Sequence, residues 1–561
     1  MNLHSSHSHR LILFPLLCVA LLLGSCANKE VPEKVIVKKV QDVNKTVSEE
    51  LLQFLSKKLS DSVLVVKEDT LLTCNYISSL SKDYKLLFTD KGKYTALGDT
   101  LFNIIKDARY YGLIPDDYHY RKLDTLKKQF QNQEQEYDAV AIARTELLFS
   151  DAYFKLGAHL NKGRFYPDSL LLEWNPRKLD TNWLSVLKWG LDSRQIRKAL
   201  DSLEPKHEGF VLLKKEFRKF MDENKEIAWD SVSCYNVGDT NAFKQQLKNR
   251  LMITGDYDST VSGNDSVKLS KGIKSFQKKF NLDPDGKLGK YTRQALTYSK
   301  EKTIRQMEMA LERWRWEPRV FPKVYFWVNI PAANLHIYEK DKKGKDTLVL
   351  FSNIVVGKPE NQTPVLRSKI NYMLIYPYWN VPYSIAWKEI LPMVQRDTSY
   401  LRKKNFEVIG AGGVVLDPKT INWKKYNKTN LPFKFRQRIG EENSLGVVKF
   451  NFNNKYGVYL HDTNSKRYFK TFYRFQSHGC MRLDKYWETA KFLIRDDTLK
   501  LPYDTLALYF ATPEQRQIPM KKSFPIFVRY YTELADSTGL HHYIDIYRKD
   551  EKLMKLVYKE K

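Results

Sequence analysis

Residues 477–483 read Ser-His-Gly-Cys-Met-Arg-Leu, and His461 stands nineteen positions before Cys480. Together these residues supply a thiol nucleophile, a distant base and a small-residue turn. A thiol attacks a carbonyl as its thiolate, so a working Cys480 needs an imidazole or a positive charge beside it. Gly479 lets the backbone turn sharply next to the sulfur. The N–H groups of Gly479 and Cys480 are then expected to stabilise a tetrahedral oxyanion. The competing reading is a buried, inert cysteine beside a core histidine. The packed run of Ser477, His478, Gly479 and Cys480, together with His461, argues against it. His461, His478 and Cys480 have no carboxylate or further histidine in register, so no metal is expected.

The arrangement resembles the YkuD-like L,D-transpeptidases, whose signature is a histidine, a spacer of the length found here from Asp462 to Gln476, then Ser/Thr-His-Gly-Cys. The resemblance implies Cys480 as nucleophile and His461 as the base that takes its proton. It also implies that the turn from Ser477 to Gly479 holds the geometry. An imidazole with an ordinary pKa of about 6.5 suits that proton transfer at neutral pH. His478 is expected to fix the turn rather than act as base. Tyr459 lies two residues before His461, so on a strand the two face one side, toward substrate or the imidazole. Met481 and Arg482 follow the cysteine where many members carry a small apolar residue and Asn. Arginine there, and Leu311-Glu312-Arg313-Trp314-Arg315-Trp316, resemble the large YcbB-like branch. Arg482 either holds a substrate carboxylate bidentately or braces the turn. Ser477, Arg482 and Tyr459 are the expected substrate contacts.

The N-terminus indicates a compartment. Arg10 precedes an apolar run from Leu11 to Leu23, which is too short to span a bilayer and ends in Gly24-Ser25-Cys26. It reads as a secretory signal. Leu23-Gly24-Ser25-Cys26 also resembles a bacterial lipobox, which implies lipid attachment at Cys26. Ala27 follows, rather than the Asp that marks inner-membrane retention, so the expected place is the periplasm, anchored to the outer membrane of a Gram-negative bacterium.

Composition fits a folded multidomain chain of 561 residues, 42% hydrophobic, with 34 tyrosines. Of five cysteines, processing removes Cys18 and lipidates Cys26. Cys74, Cys234 and Cys480 remain, an odd number that suits one free thiol. The net charge of +28 invites a nucleic-acid reading. Export and the even spread of lysines argue against it, and no nucleic-acid partner is expected.

The fold class expected is multidomain α+β. After a signal peptide over 1–25, residues 26–45 read as a tether with no core of their own. Residues 46–235 read as a helical scaffold, with Val140, Ala143, Leu147, Phe154 and Leu156 at helical spacing. His159 there reads as structural. Residues 236–300 resemble the peptidoglycan-binding-domain family through Phe276-Gln277, Asp285-Gly286-Lys287-Leu288-Gly289 and Thr292-Arg293-Gln294-Ala295-Leu296. A linker helix over 301–320 is expected to pack Trp314 and Trp316 onto the next domain. Residues 321–561 read as a β-rich catalytic domain, which the resemblance makes sandwich-like. Within it, 383–446 form a capping insertion, and Asp545-Ile546-Tyr547 is a closing strand.

The resemblance implies a peptidoglycan L,D-transpeptidase of cell wall biogenesis, forming 3-3 cross-links without a cofactor. Its substrates would be a tetrapeptide donor stem and a diamino-acid acceptor stem. Other cell-wall synthesis enzymes are candidate partners. The alternatives are an L,D-carboxypeptidase or endopeptidase on the same scaffold, in which water replaces the amine, and a non-catalytic envelope tether.

Overall fold

The computed structural model describes residues 34–56, 64–66, 69–71, 86–132, 136–165, 182–232 and 240–558. The signal segment, Cys26, Cys74 and Cys234 lie outside the described residues. No described helix is long and apolar enough to cross a membrane.

Helix α1 (Val40–Ser56) buries Val43, Val47, Leu51 and Phe54, steps of three and four that place them on one face. The tether expected over 26–45 therefore ends earlier: Ile36–Val37 already pairs with Tyr137–Asp138. Val40 and Val43 among Gln41, Asp42, Asn44 and Lys45 are too sparse a stripe to mark a core helix by themselves. Helices α2 (Ala96–Lys106) and α3 (Ala139–Lys162) share this core with other helices that bury Leu126, Leu187 and Leu200, and all the apolar positions expected on α3 are buried. Asp138 caps α3 by accepting the N–H groups of Val140 and Ala141. Buried Glu146 accepts the N–H groups of Phe88 and Thr89. Burial nevertheless pushes its carboxyl up to about 7. His159 bonds to Tyr118 at 2.8 Å.

Helix α4 (Glu208–Glu223) lies within the residues expected as scaffold, and its Phe210, Leu213 and Phe217 pack into the core of the β-rich domain. Three helices follow, α5 (Thr240–Ile253), α6 (Asp265–Lys279) and α7 (Lys290–Leu296), with a small core of their own. Gln277 explains the Phe-Gln…Asp-Gly pattern. Its Nε2 donates to Asp285 Oδ1 and the Lys287 carbonyl, and its Oε1 accepts the Gly286 N–H. One side chain thus pins the whole turn.

Helix α8 (Lys300–Trp316) is buried on every side from Met307 onward. As expected, its tryptophans pack: Trp314 stacks on Trp327 with ring centroids 5.5 Å apart. Its charges are paired inward, Arg313 with Asp550 and Arg315 with Glu312. Just past its end, Glu317 receives Arg529 Nε at 2.7 Å and Nη2 at 3.0 Å, plus the Tyr531 hydroxyl. Removing one partner leaves the other charge buried and unpaired. Glu317→Ala is therefore expected to cost about 3–5 kcal/mol, read as a lower urea midpoint at unchanged slope.

Nine strands form one sheet: β1 (Val324–Asn329), β2 (Asn334–Lys340), β3 (Asp346–Gly357), β4 (Leu366–Ile375), β5 (Val448–Phe452), β6 (Leu460–His461), β7 (Phe475–Ser477), β8 (Met481–Leu483) and β9 (Arg516–Arg529). Their order is β7-β3-β8-β6-β5-β4-β9-β1-β2. β2 also pairs with β3, so the strand ladder closes on itself. The long β3 is what makes this possible, because its first half pairs with β2 and its second half with β8. Residues 379–437 fold into a separate four-stranded sheet with its own core of Ile390, Val394, Val408, Trp423 and Phe435. This is the capping insertion. Asp545-Ile546-Tyr547 is not a strand. Asp545 accepts the N–H groups of Lys549, Asp550 and Glu551 and so starts helix α9 (Lys549–Tyr558).

Candidate active site

β6 is sandwiched between β5, antiparallel, and β8, parallel. Phe450, Leu460 and Met481 are adjacent in register and fully buried. Period-two alternation then turns their neighbours to the opposite face. Lys449, Tyr459, His461, Cys480 and Arg482 converge there and line a cavity of about 710 Å³. The cap roofs it with Trp379, Ile385, Glu389 and Tyr400.

Cys480 is half-buried. Burial pushes its thiol up. Hydrogen bonds from the Tyr459 main chain and phenol, and the positive charges of Lys449 and Arg482, pull it back. Tyr459 thus addresses the sulfur. Its ring also meets His461 edge-on at 5.6 Å, and the Lys449 ammonium lies 3.9 Å from its centre.

His461 is 4% exposed, and its Nδ1 lies 2.5 Å from the Asp462 carbonyl. A carbonyl only accepts, so Nδ1 carries the proton and Nε2 is the basic nitrogen. Burial first, then the charge of Arg482, lowers His461 to about 3, against main-chain hydrogen bonds that raise it. The unperturbed value assumed from the sequence does not hold. At neutral pH a neutral imidazole and a neutral thiol line the same cavity.

The turn is braced from within. Ser477 Oγ donates to the Cys480 carbonyl at 2.5 Å and accepts the Gly479 N–H at 3.1 Å. The Gly479 N–H is therefore occupied and does not serve the expected oxyanion hole, and the Ser477 hydroxyl is committed to the loop. Gly479 has φ +113°, a conformation that requires glycine. Thr363 Oγ1 donates to the Gly479 carbonyl at 2.8 Å, tying the turn to the loop after β3. His478 points away, to Glu389 Oε1 of the cap at 2.5 Å. Arg482 is half-buried, 5.8 Å from the Tyr468 ring.

Sequence reasoning missed Lys449 and Glu389. The first was within reach, since the hairpin register sets Lys449 opposite His461. Glu389 carries no local signal, because the cap's fold alone brings it over His478.

Three family models match this chain. Residues 80–217 match a scaffold domain, 242–296 a "Putative peptidoglycan binding domain", and 323–498 an L,D-transpeptidase catalytic domain. The chain is 29% identical over 257 residues to a "Putative L,D-transpeptidase" of Haemophilus influenzae, covering 46% of this chain and 50% of that protein. It therefore spans about half the length of that curated relative. A crystal structure of a cysteine-to-serine mutant of an Enterococcus faecium L,D-transpeptidase aligns over 49% of this chain and 86% of that one, at 12% identity and a TM-score of 0.15.

Proposed function

We propose that this chain is a peptidoglycan L,D-transpeptidase acting through a thioester on Cys480. The observation that carries the reading is that Cys480, whose sulfur Tyr459 addresses, and His461, whose Nε2 is left basic, line one cavity inside residues that match the catalytic-domain model. The Cys480 proton passes to His461 Nε2, and Sγ attacks the carbonyl of the third residue, a diamino acid, of a tetrapeptide stem. The tetrahedral adduct collapses, and the C–N bond to the terminal D-alanine breaks. The leaving amine takes the proton from His461. The side-chain amine of a second stem then attacks the thioester. The C–S bond breaks, and His461 carries the amine's proton to the sulfur, giving the 3-3 cross-link.

Proton transfer from thiol to imidazole creates a thiolate–imidazolium pair. Lys449 and Arg482 favour the thiolate but oppose the imidazolium. A stem carboxylate held by Arg482 removes that opposition, so bound substrate makes His461 a better base. The pH profile reports this. A lowered pKa means that His461 stays neutral well below pH 6.5, so kcat/KM, which follows the free enzyme, is expected to change less than about threefold from about pH 7 to about pH 5. An unperturbed histidine would give a fall of about twentyfold. The acid limb of kcat, which follows the complex, is expected at higher pH than that of kcat/KM.

Export and anchoring at Cys26 complete the proposal, supported by the leader composition and the Leu23-Gly24-Ser25-Cys26 sequence. Two acyl chains on one cysteine give stable membrane attachment. Cys26→Ala is expected to shift the protein from the membrane fraction to unprocessed precursor or soluble periplasmic forms, read by fractionation and N-terminal sequencing. Wild-type protein found soluble with another N-terminus would end the lipoprotein reading.

The function is tested by incubating the protein with disaccharide-tetrapeptide and analysing products by mass spectrometry. A cross-linked dimer with release of D-alanine supports the transferase. Tripeptide alone indicates a carboxypeptidase, and unchanged substrate a tether.

A further inference from the structure

Three residues cross the floor of the active-site cavity in one row. Lys449 on β5 stands opposite His461 on β6, and His461 stands opposite Arg482 on β8. All three line the cavity. Neighbouring strands run about 4.8 Å apart, so Lys449 and Arg482 leave the sheet about 10 Å from each other, with His461 between them. Each cation rests on its own aromatic ring. The Lys449 ammonium lies 3.9 Å from the centre of Tyr459, and the Arg482 guanidinium 5.8 Å from the centre of Tyr468. The two charges thus flank the base on either side.

Both cations are half-buried, and burial holds both below their ordinary values. Yet no carboxylate of the described residues acts on either. The acidic groups that do are the Cys480 thiol and, for Arg482, the Tyr468 phenol. Glu389 of the cap also lines the cavity, but His478 takes it. Desolvating a charge without a counter-ion is costly. A row of two such cations around an imidazole suits a ligand that brings two carboxylates. One stem carboxylate on Arg482 serves the proton transfer described above, and the second falls to Lys449.

A tetrapeptide stem can supply both. The α-carboxylate of its terminal D-alanine lies on one side of the reacting carbonyl. The side chain of the third residue lies on the other. It ends in a second carboxylate when that residue is a diamino dicarboxylic acid, and in an amine alone when it is lysine. Extended, the two carboxylates stand roughly 10 Å apart, which matches the row of cations. The planar fork of Arg482 fits the terminal carboxylate bidentately, and the flexible ammonium of Lys449 fits a side-chain end. We propose that Lys449 recognises the side-chain carboxylate of the third stem residue, and so selects diamino dicarboxylic stems over lysine stems. The proposal rests on the transpeptidase reading of the same cavity.

The test uses tetrapeptides that differ only at the third residue: diaminopimelate, the same residue with its side-chain carboxylate amidated, and lysine. D-Alanine release from each is read as kcat/KM with the full chain. Affinity is read by titration into the Cys480→Ser protein, which holds stems without turning them over. The free acid is expected to exceed the amide and the lysine stem in both readouts by at least about tenfold, the size of one hydrogen bond to a charged group. Lys449→Met is expected to cut this preference to less than about twofold, whatever loss of rate all the stems share, and Lys449→Arg to retain it. A wild-type protein that treats the stems alike, a preference that survives Lys449→Met, or one lost in Arg482→Met instead would each overturn the proposal. A preference in affinity with no D-alanine released would leave the carboxylate site standing and remove the transpeptidase reading.

Discussion

Cys480→Ser is expected to lower the turnover of disaccharide-tetrapeptide by about 10⁴-fold or more while the protein melts at the temperature of the wild type. The size follows from the site. Burial already holds the thiol above its ordinary value, and only Tyr459, Lys449 and Arg482 draw it down. A hydroxyl is far less acidic than a thiol, and an imidazole lowered to about 3 cannot deprotonate it usefully. Knocking out a nucleophile that acts as a unit with its base removes most of the chemical step at once. The substitution is nearly isosteric, so Ser477 still braces the turn through the residue-480 carbonyl. A thiol-directed acylating probe should label wild-type protein at Cys480. Retained cross-linking in the serine variant would remove Cys480 from the mechanism.

His461→Ala is expected to slow acylation by about a hundredfold or more, the usual size of a general-base contribution. His478→Ala should cost less than tenfold, because its imidazole reaches Glu389 on the cap. Burst-phase measurement of D-alanine release separates acylation from the later transfer. The reverse order of effects would exchange the roles of the two histidines.

The parts of the molecule written in contiguous residues were legible. Ser477 to Cys480 announced the turn, and Phe276-Gln277 with Asp285-Gly286 announced the module whose turn Gln277 pins. What escaped depends on pairing across long separations. β6 is two residues long and shows no alternation of its own; its neighbours β5 and β8 define which face His461 presents. Closure of the sheet depends on β2 meeting β3, which no local pattern encodes. The Gly479 N–H looked available because sequence cannot show that Ser477 Oγ folds back to take it. His461 looked like an ordinary imidazole because its desolvation comes from the assembled cavity.

The peptidoglycan-binding-like module leaves and rejoins the chain at one point. Past α4, the carbonyls of Asn224 and Ile227 accept the Lys300 ammonium, and the Trp229 carbonyl accepts the Lys300 N–H at 3.1 Å. At the same neck the Val232 N–H meets the Leu296 carbonyl at 2.9 Å. The helices on either side, α4 and α8, belong to one core. The module therefore enters and leaves through one stalk, while Asp283, Tyr291 and Phe280 rest it against the catalytic domain. Insertions whose ends nearly touch can enter or leave a gene without cutting the core that hosts them. By that logic the helix pair and its closed sheet keep an unbroken core whether or not the module is present.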